Sequence, residues 1–382
     1  MNKLIKLFYV VFGILFFFLL INIPFKEIST LYNIKSYVFV LLSFPLLGVL
    51  IWYYNFVKKR KGNKLLIVIP ILLFIAISLF IAFTFDVPLG WDYEIVFNRA
   101  KCYVKNSCKL SNAESAGYFQ YFPNNIPIFM VLASVNKIVS LFGFHQYFLS
   151  TKLTNFLFLL LTVVFTFLYI KKKFGIKKAT FSLLLFILYV PFYLYIPVFY
   201  SDTLSVLFGP LLLYVSLYFE SNKKYNRIIS YILFTVFSFV GCKMKMTIIF
   251  IPISIMAALI CKKIDRKKLF FFFVFLVTFV SLSKIYDYYI FDKDIFSAKY
   301  NNYGKIPYTH WIMMGMENPS KKVETRNSYG GYNGDDYTVT ESFINSKEAK
   351  EYNINEIKRR LNKYGIVNYL KFLCKKASNA WG

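Results

Sequence analysis

"LLIVIPILLFIAISLFIAFTFDVPLGWDYE", residues 65–94, decides how this chain is built. Residues 65–85 form one apolar run without a charged side chain. About 20 such residues are what a helix needs to cross the hydrocarbon core of a bilayer. The run ends in "GWDYE", residues 90–94, which brings Asp92 and Glu94 to the point where an apolar helix meets water. Carboxylates are scarce here, with 19 Asp and Glu against 46 Lys and Arg. Two of them at a membrane edge therefore need a reason.

The rest of the chain has the same character. Of its 382 residues 57% are hydrophobic, and 45 are Phe and 31 Tyr, more apolar and aromatic surface than a soluble domain buries. The expected fold is all-α: a polytopic membrane protein of about nine transmembrane helices. The candidate spans are 4–24, 36–57, 65–85, 153–170, 179–200, 204–219, 228–243, 247–261 and 269–289. The first follows Lys3 and Lys6 as a signal peptide would, but no small-residue cleavage site follows it, so it reads as a retained helix.

A net charge of +27 would suit a nucleic-acid binder, but its distribution argues against that partner. The basic residues gather in short loops, "KKRKGNK" (58–64), "KKKFGIKK" (171–178), "SNKKYNR" (221–227) and "KKIDRKK" (262–268). This is the pattern of loops kept on the cytoplasmic side, where they also attract anionic lipid heads. A further apolar stretch, "IPIFMVLASVNKIVSLFGF" (126–144), would put the last three clusters outside if it crossed. The charge rule therefore lays it along the outer surface, and Asn136, Lys137 and His145 suit an interfacial helix. With the N-terminus inside, residues 1–289 form the transmembrane domain, with a large first outer loop over 86–152 bearing juxtamembrane helices. Residues 290–382 form an extracytoplasmic C-terminal segment. "YSDTL" (200–204) and "GCKMKMT" (241–247) are short outer turns, so Asp202, Lys243 and Lys245 come to the surface that holds Asp92.

The first eight spans contain no Asp or Glu, whereas ion-coupled transporters keep carboxylates inside the membrane. Chemistry at the outer boundary is the better expectation. A carboxylate there can accept a proton from a hydroxyl, and lysines can neutralise a phosphate leaving group. That pairing suits sugar transfer from a polyprenyl-phosphate carrier. It needs no nucleotide loop, and no Gly-rich phosphate loop, metal spacing or cofactor signature is present. Of five cysteines, Cys242 and Cys261 read as core residues, and Cys102 and Cys108 share the outer loop, where a disulfide is permitted.

An apolar span followed by an acidic outer loop and surface helices resembles the GT-C glycosyltransferases. Protein O-mannosyltransferases and the lipid A aminoarabinose transferase belong to that group. "GWDYE" is similar to the acidic motif of their first outer loop. "YFQYFPNNIPIF" (118–129) resembles the stretch leading into a juxtamembrane helix, and "YSDTLS" (200–205) the later outer Asp turn. "GCKMKMT" and "PYTHWIMMGM" (307–316) resemble segments of uncharacterised Gram-positive members. The resemblance covers residues 65–316 and rests on short, degenerate motifs. It implies Asp92 as the catalytic base, with Glu94 supporting it. Asp202 would orient a lysine or bind the sugar, Lys243 and Lys245 would hold the donor phosphate, and His310 and Trp311 would contact sugar or phosphate. Each has a plainer reading: solvated acids at Asp92 and Glu94, a helix cap at Asp202, snorkelling at Lys243 and Lys245, a structural loop residue at His310. In this chain two spans precede the one that leads into the acidic loop, where family members often have one, and family members usually continue with further membrane helices beyond the point where it stops, which implies a truncated product.

The resulting expectation is a membrane glycosyltransferase with no cofactor and no metal ligands assigned, its metal need left open. Its partners would be a polyprenyl-phosphate-linked sugar donor and a cell-envelope glycan, lipid or protein acceptor, in a multi-pass protein suited to a bacterial plasma membrane. The alternatives are a non-enzymatic flippase or exporter of lipid-linked glycans, which predicts a polar path through the membrane, and an envelope-assembly partner, which predicts no pocket around Asp92.

Overall fold

A computed structural model describes residues 10–11, 13–14, 17, 36–60, 64–105, 118–119, 122–262, 266–292, 306–316, 318, 331, 333–343 and 345–381. The expected span 4–24 lies almost wholly outside these residues, as does Cys108 of the Cys102–Cys108 pairing. Cys102 itself is disulfide-bonded. All regular structure among the described residues is helical, as a membrane chain requires, because a helix satisfies its own backbone where no water can. The chain divides into two compact units, residues 50–119 with 123–299, and residues 1–49 with 120–122 and 300–382.

In the first unit α1 (Ser36–Lys59, from Leu50 onward) and α2 (Leu65–Thr84) lead to α3 (Trp91–Val104). Then come α4 (Ile126–Leu141), the long α5 (Tyr147–Phe174), α6 (Ile176–Leu188) and α7 (Val190–Leu194). After α8 (Ser201–Ser205) and α9 (Phe208–Ser216), α10 (Lys224–Met244), α11 (Phe250–Lys262) and α12 (Arg266–Asp287) complete the unit. α2 buries Pro70, Phe74, Ser78 and Ala82, a stripe at fourfold spacing turned to α5 and α6. α5 is the central helix. Leu159, Val163 and Phe167 join the α2–α6–α7 core, while Phe158, Leu161 and Phe165 pack on the core built by α3, α4, α9 and α10.

Among the described residues, five helical segments are long and apolar enough to cross a membrane: Leu65–Thr84, Pro123–Leu141, Tyr147–Phe174, Lys224–Met244 and Lys268–Ile290. Nine continuous spans are not what the described residues form. The expected span 179–200 breaks into α6, α7 and an irregular stretch up to Tyr200, and Ser201–Ser216 and Met246–Cys261 are shorter apolar helices. The break has a cause in Pro191, which lacks an N–H and collides with the preceding turn; Tyr189 sits at φ −84° and ψ 79°, outside the helix. Beyond α7, the carbonyls of the irregular stretch that leads to Tyr200 find a partner in fully buried Asn155 of α5. Its amide donates to Ile196 O at 2.9 Å, Val198 O at 3.0 Å and Tyr195 O at 3.4 Å. An Asn in an apolar helix is thus the device that holds the turn before Tyr200. Pro123–Leu141, which the charge rule lays on the surface, satisfies the length and hydropathy of a span with a mean hydropathy of 1.3, against 3.2 for Leu65–Thr84.

In the second unit α13 (Tyr308–Met314) and α14 (Gly334–Glu341) pack on α15 (Ser346–Trp381). Asn333 caps α14 by accepting from the N–H groups of Asp335 and Asp336. Gly365 bends α15 at φ 65°, a conformation other residues avoid. The core is polar. Arg360, almost fully buried, donates to Asp336 at 2.6 and 2.9 Å, to Glu356 at 2.9 Å and to Met313 O at 2.8 Å.

Candidate functional site

α3 starts where "PLG" holds the chain extended, and its inward stripe Tyr93, Val96, Phe97 and Ala100 packs on α4. That register turns Asp92 to the edge of the buried face and Glu94 to solvent; Asp92 is half-buried and Glu94 exposed. Both acids lie in the first helical turn, where the helix dipole favours negative charge.

Asp92 accepts a hydrogen bond from the hydroxyl of Tyr200 at 3.1 Å. Tyr118 also faces it. Burial first, and then the Asp92 charge and a hydrogen bond to it, push the Tyr118 phenol far above its ordinary range. The same causes in the same order raise Tyr200 to about 12, with Asp202 adding to them. Both phenols therefore keep their protons at neutral pH and serve as donors. The Asn125 amide donates in turn to the Tyr118 oxygen, and Asn124 to Asn125 at 3.1 Å. Beside Asp92 is a cleft of about 10 Å³ bounded by Val96, Asn125, Ile128, Phe199 and Tyr200, room for about one water molecule.

Tyr200 leads directly into Asp202, which forms an ion pair with Lys245. Asp202 lies within the first turn of α8 without capping it. Lys245 follows the end of α10 in an extended conformation, φ −150° and ψ 118°, so its side chain leaves the helix direction. Lys243, still in the last turn of α10, goes elsewhere: it donates to Asp287 at 3.0 Å and stands over the Tyr286 ring at 4.5 Å. The two lysines thus serve different carboxylates. What brings α10 so close to α9 is Gly241. A Cβ there would lie 2.8 Å from Phe208 Cγ and 2.9 Å from Ile248 Cγ2.

The unit therefore joins Asp92, Tyr118, Tyr200, Asp202 and Lys245, drawn from the start of α3, the turn before α4, the turn before α8 and the end of α10. Lys243 and Glu94 stand apart from this chain of contacts. His310 and Trp311 belong to the other unit. His310 is fully buried, with Nδ1 2.9 Å from Thr340 Oγ1, and Thr340 continues to Asn353 and Thr309. Burial lowers the His310 pKa, with Asp336 opposing the shift; this is an interior histidine. Trp311 is exposed. Tyr200, Tyr118 and Asn125 were not singled out by residue chemistry, although each lies inside a quoted motif. Only the adjacency of Tyr200 to Asp202 carried a signal. Among the described residues no group of three His, Cys, Asp or Glu side chains is placed to hold a metal.

A family model described as "Conserved hypothetical integral membrane protein" matches residues 1–381. No curated protein and no solved structure matches the chain.

Proposed function

The chain belongs to this family of conserved hypothetical integral membrane proteins, and we propose that it transfers a sugar from a polyprenyl-phosphate carrier to a hydroxyl of an extracytoplasmic glycan, lipid or protein of the cell envelope. The observation that carries this reading is the connected set Asp92–Tyr200 and Asp202–Lys245. It brings a carboxylate, a tyrosine–aspartate turn and an ammonium from three distant parts of the sequence to neighbouring helix ends, which supports the reading.

In this reading Asp92 takes the proton of the acceptor hydroxyl as its oxygen attacks the anomeric carbon. The bond from that carbon to the phosphate oxygen breaks, and the phosphate leaves with its charge neutralised by Lys245. Inversion at the anomeric carbon follows from a single displacement. Tyr200 orients the carboxylate. Asp202 holds the ammonium in place until a phosphate competes for it, a competition that a half-exposed pair permits. The narrow cleft beside Asp92 means that Tyr200 or Phe199 must swing aside for a sugar to enter.

The test is transfer in detergent or proteoliposomes from a panel of radiolabelled polyprenyl-phosphate sugars to cell-envelope acceptors. Asp92→Asn is expected to lower transfer about 10²- to 10⁴-fold, the usual worth of a positioned base. Lys245→Gln is expected to act on the donor side. Unchanged transfer by Asp92→Asn would refute the assignment.

A further inference from the structure

At the other end of α10 lies a second feature, independent of the site around Asp92. From Lys243 back to Arg227 the helix runs roughly 24 Å. There a groove of about 890 Å³ opens between α10 and α12, within the size range of ligand sites. Ile228, Ile232 and Val236 form one wall, at fourfold spacing along α10, and Phe270 and Val274 form the other. Tyr231 and Phe271, stacked at 3.8 Å and 19°, close the floor. Ile232 is 57% exposed and Phe270 69%, so the walls present apolar surface outward, as they would to lipid.

The mouth differs in kind from the walls. It carries Arg227, Arg266 and Lys268 against one carboxylate, Glu220. Lys268 and Glu220 pair with each other at 3.2 Å. Among the described residues no acid pairs with Arg227 or Arg266. Two guanidiniums that pair with no acid among the described residues thus stand over an apolar trough, at loops that the charge rule assigns to the inner face.

We propose that this groove binds one anionic phospholipid. Its acyl chains would lie along α10 and α12, and its phosphate would sit between Arg227 and Arg266. Guanidinium geometry matches phosphate in paired hydrogen bonds, and basic pockets between membrane helices take anionic headgroups. A zwitterionic lipid would bring its own ammonium to a mouth that is already positive. A groove open to the bilayer also meets phospholipid in large excess over any rarer lipid.

Native mass spectrometry of the full chain in mild detergent tests this, with phosphatidylglycerol, phosphatidylcholine, a polyprenyl phosphate and inorganic phosphate as competing probes. One phosphatidylglycerol should remain bound, with about tenfold preference over phosphatidylcholine per charged contact made. Arg227→Gln with Arg266→Gln should abolish the preference. Both arginines are outside the core, so folding is expected to persist, which a single symmetric size-exclusion peak would verify. Val274→Trp, filling the trough, should lower binding of both phospholipids. Equal retention of the two phospholipids overturns the proposal. So does a preference that survives the double arginine variant, displacement by inorganic phosphate alone, stronger binding of the polyprenyl phosphate, or closure of the groove by a second copy of the chain. Asp92→Asn should leave lipid retention unchanged, so failure here and failure of the transfer reading are separable.

Discussion

Gly241→Ala tests the packing that positions Lys245. The added methyl carbon would stand 2.8 Å from Phe208 Cγ, 2.9 Å from Ile248 Cγ2 and 3.1 Å from Phe208 Cβ. Carbon atoms rest at about 3.5–4.0 Å, so at least about 0.7 Å must be recovered by moving a fully packed Phe or the helices themselves. Overpacking of this kind costs about 1–3 kcal/mol. Replacing Gly by Ala inside a helix returns about 0.5–1 kcal/mol. The net expectation is a loss of about 0–2.5 kcal/mol, centred near 1. Gly48→Ala in α1 is the control. A Cβ there meets nothing within 4 Å, so only the helical gain remains and the variant should be more stable than wild type. The assay is the apparent thermal midpoint from tryptophan fluorescence in one detergent at one scan rate, compared as a ranking because such unfolding is seldom reversible. Phe208→Leu should relieve the Gly241→Ala defect, a coupling that a double-mutant cycle reads directly. If Gly241→Ala stabilises as much as Gly48→Ala does, the close approach of α9 and α10 is not as described.

Lys152 is buried while its partner Asp86, 2.7 Å away, is largely exposed, so the two halves of this pair should respond unequally. Asp86→Ala leaves an ammonium in the interior, and its loss of stability should exceed that of Lys152→Met by at least about 1 kcal/mol in the same thermal assay; the reverse order would refute the burial argument. Glu356 gives the second unit a pH dependence: hydrogen bonds from Arg359 first, then burial opposing them and Arg360 assisting, leave its carboxyl at about 2 instead of 4.5. A depressed carboxylate stabilises the fold above its unfolded pKa, so stability should hold above pH 4.5 and fall between about pH 4.5 and 2. Glu356→Gln should flatten that decline, and an unaltered acid profile would count against the pairing.

Much of the fold is legible in the sequence because hydrocarbon imposes one answer. Long uncharged runs such as 65–85 can only be helices, and α2 closely follows that run. The count of spans is less legible. Residues 179–200 are apolar throughout, and hydropathy alone does not register that Pro191 ends a helix or that Asn155, far away in sequence, holds the irregular stretch beyond α7. The site follows the same division. The scarcity of carboxylates is enough to draw attention to Asp92 and Glu94, and the short outer turn "YSDTL" to Asp202. Tyr200 was not singled out, since among 31 tyrosines nothing in its type distinguishes one that reaches a carboxylate 108 residues away. The divergence of Lys243 and Lys245 depends on where α10 ends, which is a matter of backbone angles at a single residue.

The amide of Asn155 has one more implication, for biogenesis. Its three acceptors lie 40, 41 and 43 residues later in the chain. At about 5–20 residues per second on the ribosome, the α5 segment waits roughly 2–8 s before those carbonyls are made. During that interval a polar amide must sit in or beside the membrane without its final partners, an arrangement that favours late handover of this helix to lipid. The turn bearing Tyr200 thus docks on α5 only after that delay, and the candidate site is completed later still, once the end of α10 with Lys245 has been made.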